Sequence, residues 1–253
     1  MREALFKLTE NCLCDCPFCD AKKNYLNRFH SSQMNLFAWQ NIAEKLIKEG
    51  VRIIVLSGGE PLIEKELTIR LIKHIQNFGV YVVLNTSGVL FKNRSLIDDL
   101  IKCYPNLLVF SIDSIIPEQH NKNRKIEGLF ERIERTINLL KNSNTFPVAI
   151  RVVITKQNYK QIPSILTYFN KLKVDCIKFT NIENDHEHKF SLSLSEWKDF
   201  NENIRPLIIE AINMCEFQDQ KLQEDSINKF YRLFSKNTTD YNMLADGIFS
   251  PSL

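Results

Sequence analysis

From its first residues to about residue 180, the chain alternates short apolar runs with amphipathic segments of helical period, and this alternation restricts the fold more than any other feature. Val51-Arg52-Ile53-Ile54-Val55-Leu56 is a nearly continuous apolar run of strand length, as is Val80-Tyr81-Val82-Val83-Leu84. Runs of this kind suit strands covered on both faces. Residues 3–8, 106–113, 147–155 and 175–180 supply further strands. Between them, Trp39, Ile42, Ala43, Leu46 and Ile47 repeat at i, i+3, i+4, i+7 and i+8, and Gly50 is a good helix stop. Residues 64–78, 94–103, 129–140 and 162–172 also read as helices. Six βα repeats predict an α/β fold with a parallel sheet and right-handed crossovers. They favour a partial (βα)6 TIM-like barrel over a flat doubly wound sheet, which pattern alone separates only weakly. Domain boundaries follow: a barrel over residues 1–190 and a C-terminal helical extension over 191–253. In the extension Ser195 is expected to cap a long helix carrying Trp197, Phe200, Ile204, Leu207, Ile208, Ala211 and Cys215, with Pro206 dividing it. A second helix is expected over residues 219–234.

In parallel α/β folds ligands bind where the strands' carboxyl ends meet the loops. Here the first strand ends in Cys12, Cys14, Cys16 and Cys19, and the second in Ser57-Gly58-Gly59-Glu60-Pro61. The third ends in Asn85-Thr86-Ser87-Gly88 and the fourth in Ser111-Ile112-Asp113. Four successive strands thus deliver thiol or polar groups to one rim. Thiols packed this closely suit three chemistries. Iron–sulfur clusters are held by Cys thiolates, and the C-x3-C-x2-C of Cys12, Cys16 and Cys19 would leave one iron of a cubane open. All four thiols on one zinc ion is a second reading, cramped at this spacing. A redox pair at Cys16-Pro17-Phe18-Cys19 is the third, which leaves Cys12 and the glycine turn unexplained.

The Cys12/Cys16/Cys19 spacing after Leu8-Thr9, with Gly58-Gly59-Glu60-Pro61 one strand later, resembles the radical S-adenosylmethionine (SAM) superfamily. Ser111-Ile112-Asp113-Ser114, followed by His120-Asn121-Lys122-Asn123-Arg124, is similar to the molybdenum-cofactor and SPASM-type branches, and the likeness covers residues 1–190. The resemblance implies a [4Fe–4S] cluster on Cys12, Cys16 and Cys19, with Cys14 a bystander. It implies that Phe18 lies along the adenine of SAM and that Gly58, Gly59 and Glu60 receive the amino group of its methionine. It puts Ser111 and Asp113 at the ribose or carboxylate, Arg124 within reach of the carboxylate, and Asn85 and Ser87 near the ligand. The activity implied is reductive cleavage of SAM to a 5′-deoxyadenosyl radical that removes hydrogen from a peptide or small-molecule substrate. An external electron donor of flavodoxin or ferredoxin type is implied as partner. The contrasting reading is a non-catalytic or truncated cluster- or SAM-binding remnant acting as an interaction protein.

Lys+Arg 33 against Asp+Glu 30 gives a net charge of +3, too small a bias to imply nucleic acid or a membrane surface as partner. No apolar run reaches the roughly 20 residues of a membrane span, and no signal-peptide pattern is visible. Seven cysteines, an odd number with four of them inside eight positions, argue for a reducing, cytoplasmic setting over a disulfide framework. Cys103, Cys176 and Cys215 read as buried apolar residues, and the Asp185–His188 connector and the basic run to Lys125 as solvated; His120 reads as a loop residue that either assists substrate or SAM binding or lies at the surface. With no cysteine after Cys215, an auxiliary cluster module is not expected within the chain, which reads as a shorter relative or as a product cut before such a module.

Overall fold

The computed structural model describes residues 2–19, 34–143, 145–182, 189–213 and 247–249. Six parallel strands stand side by side in chain order: β1 (Arg2–Lys7), β2 (Val51–Ser57), β3 (Tyr81–Thr86), β4 (Leu107–Ser111), β5 (Val148–Ile154) and β6 (Cys176–Asn181). With strictly sequential order every crossover steps in the same direction. Right-handed crossovers then put all helices on one face, and the twisted sheet curls around the other. The result is a half-barrel, as the repeat pattern predicts. A three-residue strand, β7 (Gly247–Phe249), adds antiparallel to β6.

The outer face is sealed by α1 (Leu36–Lys48), α2 (Lys65–Gln76), α3 (Arg94–Cys103), α5 (Leu129–Asn142) and α6 (Ile162–Lys171), while α4 (Pro117–Arg124), between β4 and α5, meets the loop after β1. Phe6 of β1 meets Trp39 of α1 at 4.9 Å between ring centroids, and Phe110 of β4 meets Phe91 at 5.2 Å. Leu71, Ile72, Ile75, Ile133, Ile137 and Leu140 are at most 1% exposed. Each such side chain contributes about 1.5–3 kcal/mol of burial. Cys103 and Cys176 are buried too, as expected of them.

Strand register and the two-residue period decide what faces the barrel interior. Val109, Ala149 and Cys176 pair across β4, β5 and β6 and pack with Val83 and Leu107 into a floor of small apolar side chains. Two residues further along each strand, Ser111, Arg151 and Lys178 pair in the next row, and Val153 pairs with Thr180 above them. The interior therefore changes from apolar to polar toward the carboxyl ends.

Two local features differ from the sequence expectation, and a third agrees with it. Residues 117–124 are helical, not a polar loop: Pro117 fits the first turn, where no amide donor is needed, and His120 and Arg124 fall one turn apart on its buried face. The C-terminal helix is capped by Ser193, whose hydroxyl accepts from Glu196 N while the Glu196 carboxylate accepts from Ser193 N; Ser195 lies inside it. That helix is divided as Pro206 requires, into α7 (Leu194–Asp199), one π turn (Phe200–Ile204) and α8 (Arg205–Asn213). Phe200, Ile204, Ile208, Ala211 and Ile212 enter the same core as the barrel helices. The helix expected at 219–234, Cys215 and the Asp185–His188 connector lie outside the described residues. Among the described residues no helix is long and apolar enough to cross a membrane.

Candidate functional site

At the carboxyl ends of the strands a cavity of about 690 Å³ opens between the loop after β1 and the ends of β2 to β6. Cys12, Cys14, Cys16 and Cys19 all stand on its wall, with Phe18 between the last two. Gly58, Gly59, Asn85, Ser87, Ser111 and Arg124 reach it from the neighbouring elements. Of the residues singled out from sequence, only Glu60 and Asp113 are set behind the wall, at 0% and 1% exposure.

The cysteine loop is held from both sides. On one side the β1–β2 ladder continues past the strand: Leu8 N donates to Ser57 O at 2.9 Å, Gly59 N to Thr9 O and Glu60 N to Asn11 O, both at 2.7 Å. This contact requires the two glycines. A Cβ on Gly58 would lie 2.4 Å from Thr9 O, and one on Gly59 2.2 Å from Asn11 O; Gly58 also has φ +139°. The glycines thus serve backbone-to-backbone packing as well as lining the cavity. Gly59→Ala should push the two loops apart and lower stability by about 2–4 kcal/mol in urea unfolding. A midpoint unchanged from wild type would contradict the packing described.

On the other side, Asp15 N donates to Arg124 O at 3.0 Å, and Lys125 Nζ meets the Asp15 carboxylate at 2.6 Å. The basic run is therefore part of the scaffold. Arg124 is 8% exposed, its Nε and one terminal nitrogen donating to the two oxygens of Asp113 at 2.7 and 2.5 Å. The guanidinium carbon lies 6.0 Å from the Phe18 ring centroid, within cation–π range. Asp113 consequently neutralises and aims Arg124, where the sequence suggested direct contact with a ligand.

Glu60 has a comparable part. Its carboxylate accepts from Thr86 Oγ1 at 2.9 Å, Ser87 N at 2.7 Å, Ser87 Oγ at 2.5 Å and Leu62 N at 3.2 Å. Burial pushes its pKa up, and these donors oppose the push. Its charge is directed into the end of β3, so the backbone of Gly58 and Gly59 is what this turn offers to the cavity.

Cys14 is distinguished from the thiols beside it. It is 3% exposed, and hydrogen bonding to Cys12 and Cys16 holds its pKa up. The same bond from Cys14 is the main cause pulling Cys12 down to about 7 and lowering Cys16 against their burial. Of the three, Cys14 is therefore the thiol that holds its proton most strongly. Among the described residues, no three His, Cys, Asp or Glu side chains are gathered closely enough for a single metal ion. A zinc ion needs its sulfurs about 2.3 Å from one point, whereas a cubane takes thiolates at separate corners. Cys12, Cys16 and Cys19 share one cavity wall, and their donor set is that of a cubane.

One residue of the site escaped the sequence reading, and a second takes a position it did not foresee. Asn158 Nδ2 donates to Asp113 O and Val153 O, both at 2.8 Å, tying the ends of β4 and β5 together; nothing in its local sequence signals this. His120, fully buried, accepts at Nδ1 from Asp113 N at 3.2 Å, and its i,i+4 spacing to Arg124 was the available signal. Burial, against the pull of Asp113, lowers its pKa to about 4. The unfolded chain binds that proton more readily, so the neutral imidazole's full stability is present above about pH 6.5 and is lost as pH falls toward 4. Unfolding free energy should fall by about 2 kcal/mol between about pH 7 and pH 5 on this account. His120→Gln should remove that part of the slope, and an unaltered slope would contradict the assignment.

Comparison with known proteins agrees with this geometry. A model of the radical SAM superfamily matches residues 6–169. The PqqA peptide cyclase of Bradyrhizobium diazoefficiens is 24% identical over 183 residues, 71% of this chain and 46% of that protein. The GTP 3',8-cyclase of Helicobacter pylori is 28% identical over 225 residues, 85% of this chain and 64% of that protein. Streptococcus suis SuiB, in its structure bound to the precursor peptide SuiA, has a similar fold, with TM-score 0.67 and 19% identity over 82% of this chain and 46% of that one. The chain thus spans about half the length of two of these proteins and under two thirds of the third.

Proposed function

Because the chain belongs to the radical SAM superfamily, whose cofactors are a [4Fe–4S] cluster and SAM, we propose that it is a radical enzyme acting on a peptide or small-molecule substrate. Cys12, Cys16 and Cys19 would hold the cluster, which when bound would supply the one-electron chemistry for reductive cleavage of SAM. The observation that carries this reading is the meeting of these three thiols with the Gly58-Gly59 turn, Ser111 and Arg124 around one cavity.

The chain's own groups bind and orient. Phe18 offers an apolar face for adenine, and the backbone at Gly58 and Gly59 offers carbonyls to an ammonium group. Asn85, Ser87 and Ser111 bring hydroxyl and amide groups to the ribose and carboxylate. Arg124 retains N–H donors beyond the two spent on Asp113. Glu60 and Asp113 act as positioning residues, the first for the turn and the second for Arg124. The sealed outer wall keeps water from a radical. A flavodoxin- or ferredoxin-type donor supplies the electron. The similarity to PqqA peptide cyclase and to SuiB, which binds the precursor peptide SuiA, supports a peptide among the substrate classes.

The test is anaerobic reconstitution followed by dithionite and SAM. Wild-type protein should release 5′-deoxyadenosine, and Cys12→Ala should not. Equal yields from the two would sink the proposal.

A further inference from the structure

On the β5–β6 side of the barrel interior, Arg151 stands on the cavity wall, paired in register with Ser111 on one side and Lys178 on the other. Its Nε is buried and, among the described residues, has no hydrogen-bond partner. One row further along, Thr180 is 4% exposed, and its Oγ1 is likewise without a partner. Buried polar atoms in folded proteins are nearly always satisfied, so two orphans on adjacent strands of one interior face mark a place meant for something else.

Arg124 makes the contrast. Its charge is balanced by the two oxygens of Asp113, whereas no carboxylate among the described residues pairs with Arg151. The acidic residue on the described cavity wall, Glu10, belongs to the cysteine loop. Strands β2, β3 and β4 separate β5 from β1, roughly 19 Å along the curled sheet at the usual strand spacing. Beneath Arg151 lies the floor of Val109, Ala149 and Cys176. A guanidinium above an apolar floor is suited to a ligand with an oxyanion group on a compact carbon body.

We infer that Arg151, with Lys178 beside it, forms a subsite for a carboxylate or phosphate group of the substrate. The inference rests on the radical-enzyme reading of this cavity. It is tested on the full chain with cluster reconstituted and no reductant, using succinate and pyrophosphate as probes. At least one of them should bind, and Arg151→Gln should weaken that binding about tenfold or more, with Arg151→Lys intermediate. The probe that binds distinguishes a carboxylate from a phosphate subsite. A second measurement needs no variant: the binding probe should slow phenylglyoxal modification of Arg151, read by peptide mass spectrometry, and leave exposed Arg94 unaffected. If neither probe binds or protects Arg151, or if Arg151→Gln binds as wild type does, the subsite is overturned. Iron content and 5′-deoxyadenosine from wild-type protein report separately on the parent reading. A radical-competent protein with an indifferent Arg151 overturns the subsite alone; a protein that takes up no cluster overturns the parent reading, whatever the anions do.

Discussion

Cys16→Ala protein, reconstituted beside wild type, is expected to hold no four-iron cluster, while Cys14→Ala is expected to keep one. Both thiols are buried and both stand on the cavity wall, so exposure does not separate them. Their hydrogen bonding does: it raises the pKa of Cys14 and lowers those of Cys12 and Cys16. A thiolate is the form that binds metal. Losing Cys16 removes one of three ligands outright, and SAM cleavage should fall to background. Losing Cys14 removes a donor next to two ligands, an effect of about 10–100-fold on cluster affinity by analogy with other supporting hydrogen bonds around metals. The check is iron and sulfide per chain with the absorbance of the reconstituted proteins. Equal loss in the two variants would mean that Cys14 is a ligand and that the spacing has been misassigned.

Arg124→Met should cost about 3–5 kcal/mol of unfolding free energy, because it leaves the Asp113 carboxylate buried and unpaired. Asp113→Leu alone should be similarly harmful, stranding the guanidinium. The double variant Asp113→Leu/Arg124→Met removes both charges and should recover most of the loss, since a buried ion pair is worth little against apolar groups of similar volume. Stability and function should then part company. The recovered fold would still lack the arginine at the cavity, and SAM binding should stay weak. A double variant as unstable as the sum of the singles would show that the two side chains act independently.

How much of this was legible beforehand depended on the range of the interactions. The barrel was readable because each strand announces itself locally, as Val51–Leu56 does, and sequential βα repeats leave few topologies. The cysteine loop was readable because its chemistry is packed into eight residues. The directions of Glu60 and Asp113 were not readable. Both look like ligand groups at strand ends, and only the fold reveals that Ser87 and Arg124 engage them first. The burial of His120 and Arg124 was obscured by composition: Pro117–Arg124 is so polar that it reads as solvated, although its i,i+4 spacing encodes a buried face. Gly58 and Gly59 were found for an incomplete reason, since ligand approach was legible and the approach of Thr9 and Asn11 was not.

If Cys12, Cys16 and Cys19 hold a cluster that SAM meets directly, adding SAM should alter that cluster's electronic state. The direct measurement is the electron paramagnetic resonance spectrum of the reduced, reconstituted protein with and without SAM. The spectrum of a [4Fe–4S]⁺ cluster that changes on adding SAM, and does so less in Arg124→Met, is the predicted result. A cluster spectrum indifferent to SAM, or a protein that takes up zinc and no iron, would contradict it.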